Sequence, residues 1–267
     1  MMIENTLSSY TGHLQIQHQG YNDEPRMRSS ITDIIALADK VRQHLGSNHV
    51  AARGVAFAMT SSEERSYGLQ LIGVEVEFEI NVSSLPGLIK QGEYFSDSNA
   101  AEIVIGSVLA RNLRVSIGDE LTLLGSGHDG SFAAGIVKVA GIFESGMADI
   151  DRSMAQLPIG YFQDLFAMGG RGHNIVVNGH DLTQVPMVRR DLQNMLRDRS
   201  ELAVLEWDEL QPGLKQAIQA DLASAWFMYG VLIILVAFSV LNTQLMSVLE
   251  RTREFGVMMA LGVKPTR

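Results

Sequence analysis

The sequence contains no cysteine, so no disulfide can stabilise its fold and no thiol can act as a nucleophile or metal ligand. Basic residues are also scarce: 21 Lys and Arg stand against 30 Asp and Glu, which gives a formal net charge of −9. No basic stripe offsets this balance, and an acidic surface repels the phosphates of nucleic acid. The composition therefore argues against a nucleic-acid partner.

Motifs for catalysis and metal binding are missing as well. The sequence has no G-x-S-x-G motif, and its seven histidines are scattered. His13 and His18 lie on one predicted strand but point to opposite faces, so they cannot share a metal ion. Asp149 and Asp151, with Glu144 nearby, could bind a cation, although carboxylates in a glycine-rich loop are usually solvated. We therefore predict no catalytic residue, no cofactor and no metal site.

A glycine-rich stretch at residues 125–130 (GSGHDG) has some likeness to a phosphate-binding loop. It lacks the Lys-Ser/Thr ending of such loops, and residues 132–143 after it alternate as a strand. No helix N-terminus would therefore face a phosphate at this position. The stretch is predicted to be a hairpin turn.

Apolar periodicity predicts an α+β domain with two subdomains. A strand at 12–18, a helix opened by Thr32 or Asp33 and closed by Gly46, and strands at 50–59 and 67–74 give a β-α-β-β opening. A second block, approximately residues 85–180, forms the predicted inner subdomain. The further predicted elements are strands at 102–105, 120–124, 132–143, 153–159 and 173–178 and helices at 106–113, 161–168 and 181–197.

One feature of the sequence is long enough to cross a membrane. No charged residue lies between Asp221 and Glu250, and about 20 helical residues already span a hydrocarbon core. Residues 225–249 are therefore predicted to be a transmembrane helix, with a buried helix of a soluble protein as the alternative. Trp226 and Tyr229 lie at its first end, where amphipathic rings prefer the level of the lipid headgroups.

The charges that flank this helix predict its orientation. Basic residues are enriched on the cytoplasmic side of membrane helices, and here they follow the helix. Residues 1–220 are therefore predicted to be extracytoplasmic, and we expect a further transmembrane helix upstream, because the first residues have no secretory signal. The residues that decide the orientation are Arg251, Arg253, Lys264 and Arg267 after the helix, and Glu201, Glu206, Asp208, Glu209 and Asp221 against Lys215 before it.

The membrane helix is predicted to begin well before the membrane, as a stalk over residues 207–224. Asp208 is a candidate N-cap, with Gln211 at the capping-box spacing, and leucine or isoleucine recurs every fourth residue after them. A continuous stalk would act as a lever between an outer domain and the membrane. An ordinary amphipathic helix lying on the domain fits the same periodicity.

The tail after the membrane helix, residues 250–267, differs in kind from the rest. Four charged residues are followed by an apolar segment between two glycines, a pattern that favours a short helix in the groove of a partner protein. Packing against other helices of the same protein is the alternative. The residues predicted to make the contact are Glu250, Arg251, Arg253, Glu254, Phe255, Gly256, Met258, Leu261 and Gly262.

Four stretches resemble, in the same order, motifs of ABC transporter permeases of the MacB, LolC/LolE and FtsX type. The most specific is ERTREFGVMMALG at 250–262, which resembles the signature after the second transmembrane helix of that family. The other three lie in the region that would be periplasmic. They are GHLQIQ at 12–17, IVIGSVLA through VSIGD at 103–119, and GIFESG at 141–146.

The resemblance implies a permease subunit of the bacterial inner membrane with four transmembrane helices, of which this sequence has the second. It implies a partner ATP-binding subunit, a second permease copy or paralogue, and membrane lipid around the helices. Residues 250–262 would then be the coupling helix that docks on the ATPase. The sequence has no Walker A motif, so we expect the partner to hydrolyse ATP.

Within this family the early GHLQIQ strand favours lipoprotein release, as in LolC/LolE, with a lipoprotein or a periplasmic adaptor as further partner. A MacB-like efflux module and an FtsX-like regulator of a cell-wall hydrolase are the alternatives. A single-span sensor or anchor belongs to a different class, and it predicts no ATPase partner.

Overall fold

The computed structural model describes residues 11–95, 97–179 and 184–262. The chain divides into two units, Met1–Leu210 and Gln211–Arg267. The second unit contains α8 (Pro212–Glu250) and α9 (Thr252–Ala260). The elements of the first unit are β1 (Leu14–His18), α1 (Ile34–Leu45), β2 (Val50–Ser61), β3 (Ser66–Val74), α2 (Val76–Val82), a 3-10 turn (Leu85–Leu88), β4 (Ile89–Gly92), β5 (Glu102–Gly106), α3 (Ser107–Leu113), β6 (Glu120–Ser126), β7 (Phe132–Phe143), α4 (Ala148–Ser153), β8 (Met154–Pro158), α5 (Ile159–Leu165), β9 (Asn174–Val177), α6 (Val185–Met195), β10 (Leu202–Glu206) and α7 (Trp207–Leu210).

One mixed sheet of ten strands organises the first unit, in the order β10-β1-β9-β2-β3-β8-β5-β7-β4. Strand β6 pairs with both β2 and β7, so that β2, β3, β8, β5, β7 and β6 close into a six-stranded barrel. Strands β10, β1 and β9 extend the sheet from the first half of β2. This mixed architecture, together with a long apolar helix after it, confirms the predicted α+β class.

Two large apolar clusters fill the first unit. One joins inward-facing side chains of all six barrel strands with residues of α3 and α5, among them Leu71, Leu123, Val137 and Phe162. The other packs α1 and α6 against the β1–β9–β10 extension, around Ile16, Ile34 and Leu192. Burial of these side chains, at about 25 cal/mol per Å² of apolar surface, is the main force that holds the sheet and its helices together.

The predicted β-α-β-β opening is confirmed, and so is the end of its helix. Gly46 has φ of 59° and its N–H donates to the carbonyl of Arg42, as expected for a glycine C-cap. Asp33 precedes the helix as predicted, in a left-handed conformation and without a side-chain cap bond. The barrel takes strands from both sides of residue 85, and the predicted inner subdomain over 85–180 stays a prediction.

Two paired glycines make room for one aromatic ring. Gly54 on β2 and Gly73 on β3 lie directly opposite each other in the antiparallel register. A Cβ added to Gly73 would lie 2.5 Å from Cγ of Phe162, and one added to Gly54 would also overlap this ring. Phe162 on α5 is fully buried. The helix can therefore approach the sheet closely only because these two positions carry no side chain.

The predicted start of the long helix at Asp208 is wrong. Asp208 lies within the separate short helix Trp207–Leu210, and the long helix begins at Pro212. The reason is Pro212, which disfavours helical backbone at the residue before it, and Gln211 indeed has φ of −130° and ψ of 70°. Proline is well suited to the first helical position that it occupies here. The predicted stalk over 207–224 therefore corresponds to two helices.

Several short elements were absent from the sequence prediction. They are α2, the 3-10 turn, β4, α4 and β10, none longer than seven residues. The predicted helix at 181–197 is observed as Val185–Met195, and residues 181–183 lie outside the described residues. Residues 1–10 lie outside the described residues too. The same holds for Lys264 and Arg267, on which the predicted orientation partly depends.

Candidate functional site

The second unit is a long apolar helix followed directly by a short one. In the part of the chain that the structure describes, Lys215–Glu250 is the one helix long and apolar enough to cross a membrane. No residue of its most apolar stretch is buried. Trp226 and Tyr229 are exposed on this helix. Their location at a membrane interface stays a prediction.

Two hydroxyl side chains of α8 hydrogen-bond to backbone carbonyls of the same helix. The Ser224 hydroxyl donates to the carbonyl of Ala220 at 2.9 Å, and the Thr243 hydroxyl donates to that of Ser239 at 3.0 Å. Such bonds satisfy a hydroxyl inside an apolar phase. The side chain of Asn242 makes no hydrogen bond of this kind in the part of the chain that the structure describes.

A single residue joins the two helices. Arg251 ends α8 and precedes α9, with φ of −94° and ψ of 9°, and the Thr252 hydroxyl donates to the carbonyl of Leu249. The N–H of Phe255 returns to the carbonyl of Arg251 at 3.0 Å, which starts the new helix within one turn. Gly262 then ends the segment in a left-handed conformation, with φ of 87°. The predicted short helix after the membrane helix is thus observed.

The nine residues predicted to contact the ATPase lie within the stretch 250–262 and are all exposed. Glu250, Arg251, Arg253 and Glu254 form no ion pair within residues 11–95, 97–179 and 184–262, so their charges are available to a partner. The apolar side chains that follow them are exposed as well, which is unfavourable in water and favours burial against another protein. Those exposed side chains are Phe255, Val257, Met258, Met259 and Leu261.

In the first unit, a buried ion pair joins α2 to the centre of the sheet. Arg53 on β2 and Glu79 on α2 are both 0% exposed, and the guanidinium donates to both carboxylate oxygens, at 3.0 Å and 2.7 Å. Gln156 on β8 also donates to Glu79, at 3.5 Å, and accepts from the Tyr94 hydroxyl at 3.0 Å. Burial, together with the charge of Glu79, raises the pKa of Tyr94 well above its ordinary value, so this hydroxyl keeps its proton.

A second ion pair holds α1 to the segment before α2. Arg42 donates to both oxygens of Glu75, at 3.0 Å and 2.7 Å, and to Asp39 at 2.8 Å. Glu75 in turn accepts from the N–H of Ala52 on β2 at 3.0 Å, and the Arg42 guanidinium lies 3.6 Å from the ring centre of Phe78. Both pairs join secondary-structure elements, and we assign them a structural role.

His173 is a buried histidine with a defined tautomer. Its Nδ1 accepts from the N–H of Val55 at 2.9 Å, so the proton is on Nε2, which donates to the carbonyl of Met27 at 3.2 Å. The ring stacks on Tyr21. Burial lowers the pKa of His173 from 6.5 to about 4, because a charged ring would lose its hydration and Nδ1 would no longer accept.

This histidine predicts a pH dependence of folding. The unfolded chain takes up a proton on His173 below about pH 6.5 and the folded chain only near pH 4, so the free energy of unfolding falls as the pH falls through this window. The expected loss is about 3 kcal/mol in total. We expect His173→Gln to flatten the pH dependence of urea unfolding between pH 7 and 4. His128 is less buried and burial lowers its pKa as well, so His128→Gln is expected to flatten this dependence less. An unchanged slope in His173→Gln would contradict the assignment.

Two loops singled out in the sequence take ordinary structural roles. The turn predicted at 125–130 is confirmed in part: Gly125 and Ser126 belong to β6, and residues 127–131 form the turn before β7, with φ of 87° at Gly130. The acidic loop is instead part of α4, where buried Asp151 accepts from the N–H and hydroxyl of Ser145 at 2.9 Å and 2.6 Å. Within the described residues, no group of three or more potential ligands could hold a metal ion.

The structure also brings together apolar side chains that sequence reasoning did not find. They lie on the outside of the barrel, where alternate residues of β2 and β7 point to solvent while their neighbours fill the interior. The exposed ones are Phe57, Met59, Phe132 and Ile136. We call these four residues, with Leu124 and Ala134 between them, the outer apolar face.

Comparison with known proteins identifies both units. Residues 1–195 match the family described as the MacB-like periplasmic core domain, and residues 226–267 match the FtsX-like permease C-terminal family. The two matches follow each other in the chain as the barrel unit and the long apolar helix do.

Two relatives from different strains of Xylella fastidiosa are each described as "Lipoprotein-releasing system transmembrane protein LolC". One is 25% identical over 192 residues, covering 70% of this chain and 44% of the relative. The other is 24% identical over 208 residues, covering 76% of this chain and 50% of the relative. The chain thus spans about half the length of the curated relatives it matches.

Two crystal structures share the fold. The extracellular domain of the ABC-type transporter YknZ from Gram-positive bacteria has a TM-score of 0.54 and 17% identity, and covers 73% of this chain and 100% of that domain. The periplasmic region of MacB from Actinobacillus actinomycetemcomitans has a TM-score of 0.53 and 14% identity. The match covers 82% of this chain and 97% of that region. With a matching family over residues 1–195, the chain belongs to the ABC transporter permeases of the MacB, LolC and FtsX type.

Proposed function

We propose that this chain transmits the energy of ATP hydrolysis, by a separate ATP-binding subunit, across the bacterial inner membrane to its MacB-like domain. The observation that carries the proposal is the exposed apolar helix α9, which follows the long apolar helix within one residue and lies in the FtsX-like permease segment. Exposed apolar side chains beside unpaired charges suit a protein groove. In this proposal α9 is cytoplasmic, residues 1–220 are periplasmic, and a second permease copy or paralogue completes the complex.

The docking role of α9 can be tested by substitution. We expect Glu254→Ala combined with Phe255→Ala to reduce co-purification of the ATP-binding subunit at least about tenfold, because an interface loses most energy when a central aromatic anchor is removed. The measurement is affinity purification of the full-length permease from detergent-solubilised membranes, with quantification of the bound ATPase and its hydrolysis rate.

The matched control is Met187→Ala on α6, an exposed apolar position in the other unit. It is expected to leave ATPase binding unchanged. Equal recovery of the ATPase with both variants would remove the coupling assignment from α9. A membrane-inserted permease with no ATPase in any sample would contradict the proposed coupling to an ATP-binding subunit.

We further propose that the work performed is the release of lipoproteins from the membrane. The support is the match to the two LolC relatives, which extends over 70% and 76% of this chain. Depletion of the full-length permease in the source bacterium is expected to leave outer-membrane lipoproteins in the inner membrane, as measured by fractionation. Correct sorting after depletion would contradict lipoprotein release and leave the permease assignment intact.

A further inference from the structure

The outer apolar face is a continuous surface of three neighbouring barrel strands. Met59 on β2 lies opposite Leu124 on β6, and Leu124 lies opposite Ala134 on β7. Residues directly opposite in antiparallel strands share one face of the sheet. Phe57 and Phe132 extend this row at one end and are 69% and 75% exposed.

Beside this face, strand β3 leaves an open groove. Gly68 lies opposite Met59, and a side chain at Gly68 would meet nothing within 4 Å. The resulting groove has a volume of about 570 Å³, within the range of small-molecule sites. No charged side chain lines it. Its lining residues are Phe57, Ala58, Met59, Gly68, Leu69, Gln70, Leu124, Gly125 and Ser153.

The size and charge of the surface favour a small apolar ligand over a protein. Five residues along a strand and four strands across give a face of about 14 Å by 14 Å, or roughly 200 Å². A stable protein interface needs about 800 Å² on each partner. The absence of charge from the groove also removes the ion pairs that orient a protein partner, whereas an alkyl chain needs none.

We propose that the groove binds an acyl chain of a lipid-anchored cargo protein while this cargo is held outside the membrane. This inference rests on the proposed function in lipoprotein release and adds the place where the cargo is held. Phe57 and Met59 on β2 would cover the alkyl chain, and Leu124 on β6 extends the apolar surface beyond them. The side chain of Gln70 makes no hydrogen bond within the described part of the chain, and its amide would donate to an ester carbonyl where the acyl chain joins its glyceryl group.

Photo-crosslinking tests the proposal in the complete permease complex, reconstituted in phospholipid nanodiscs. Phe57 or Phe132 is replaced by p-benzoylphenylalanine, and Met187, 72% exposed on α6, is replaced in the control. The probe is a fluorescent synthetic peptide with a diacylglyceryl cysteine, compared with the same peptide without acyl chains. We expect at least about tenfold more adduct with the acylated peptide at both face positions, and none above background at Met187.

A second substitution, made in the chain that carries p-benzoylphenylalanine at position 57, tests whether another apolar side chain contributes to binding. Met59→Ser, at a position that lines the groove and points to solvent, is expected to lower the adduct formed at Phe57 about tenfold, because an apolar contact with the alkyl chain is lost. Met187→Ser is expected to leave this adduct unchanged. Equal adducts with the non-acylated peptide, equal labelling at Met187, or adducts with nanodisc phospholipid alone would each overturn the proposal.

The depletion experiment separates this inference from the function on which it rests. If depletion retains lipoproteins in the inner membrane and the face forms no adduct with the lipopeptide, the groove assignment is wrong and lipoprotein release stands. If lipoproteins are sorted correctly without the permease, lipoprotein release is wrong whatever the groove binds.

Discussion

Replacing Arg53 with methionine is expected to lower the free energy of unfolding by about 3 to 5 kcal/mol. Arg53 and Glu79 are both fully buried and joined by two hydrogen bonds. Without the guanidinium, the carboxylate keeps the bond of 3.5 Å from Gln156 and must stay charged in the interior or take up a proton. Urea titration of the full chain in mild detergent, followed by circular dichroism, measures the loss.

Two further variants show whether the effect comes from the buried charge. Arg26→Met breaks the pair with Glu24, in which both side chains are 67% exposed, and is expected to change stability by less than about 1 kcal/mol. The double variant Arg53→Met with Glu79→Leu is expected to regain most of the loss, because a buried apolar pair needs no charge compensation. A single Arg53→Met variant as stable as the parent would contradict this account.

Phe162→Ala is expected to cost about 3 to 5 kcal/mol, because this fully buried ring fills the space above two glycines. Gly73→Ala is expected to cost about 1 to 3 kcal/mol for the opposite reason, since its Cβ would lie 2.5 Å from the ring. Both losses are measured by the same urea titration. Gly68→Ala on the same strand, with nothing within 4 Å of its Cβ, is the matched control and is expected to cost less than about 0.5 kcal/mol.

The two changes are also expected to be coupled. In a chain that already carries Phe162→Ala, the added methyl of Gly73→Ala no longer meets the ring but still lies 2.6 Å from Cβ of position 162, so its cost should fall only in part. A double-mutant cycle measures this difference. Additive losses would mean that the cost of the methyl at Gly73 does not come from the ring of Phe162.

Much of the fold follows from local sequence signals. The strand Phe132–Phe143 was predicted with its observed bounds, because it alternates over its whole length, and Gly46 ends α1 as its position after the last apolar residue predicts. Short elements such as β4 and β10 carry too few residues for a period to be recognised. The break before α8 required one more consideration, the restriction that Pro212 places on Gln211.

The outer apolar face could not be found from the sequence. Residues 55–59 of strand β2 are all apolar, which is typical of a strand buried on both faces. In the structure, small Ala56 and Ala58 point inward, whereas the larger Phe57 and Met59 point to solvent. Only the closure of the barrel through β6 decides which side is the interior. The size difference along β2 is the one local signal that could have indicated it.

The central claim is that α9 docks on an ATP-binding subunit, and cross-linking from α9 tests it most directly. Because the 267 residues contain no cysteine, Phe255→Cys is the one thiol within them, and any cysteine in the rest of the full-length permease is replaced by serine for this experiment. In membranes containing the full-length permease and its partners, a bifunctional thiol-to-amine reagent is predicted to join this position to an ATP-binding subunit, with no such adduct from Met187→Cys. An inserted permease that forms no ATPase adduct from Phe255→Cys, or forms it equally from Met187→Cys, would contradict the account.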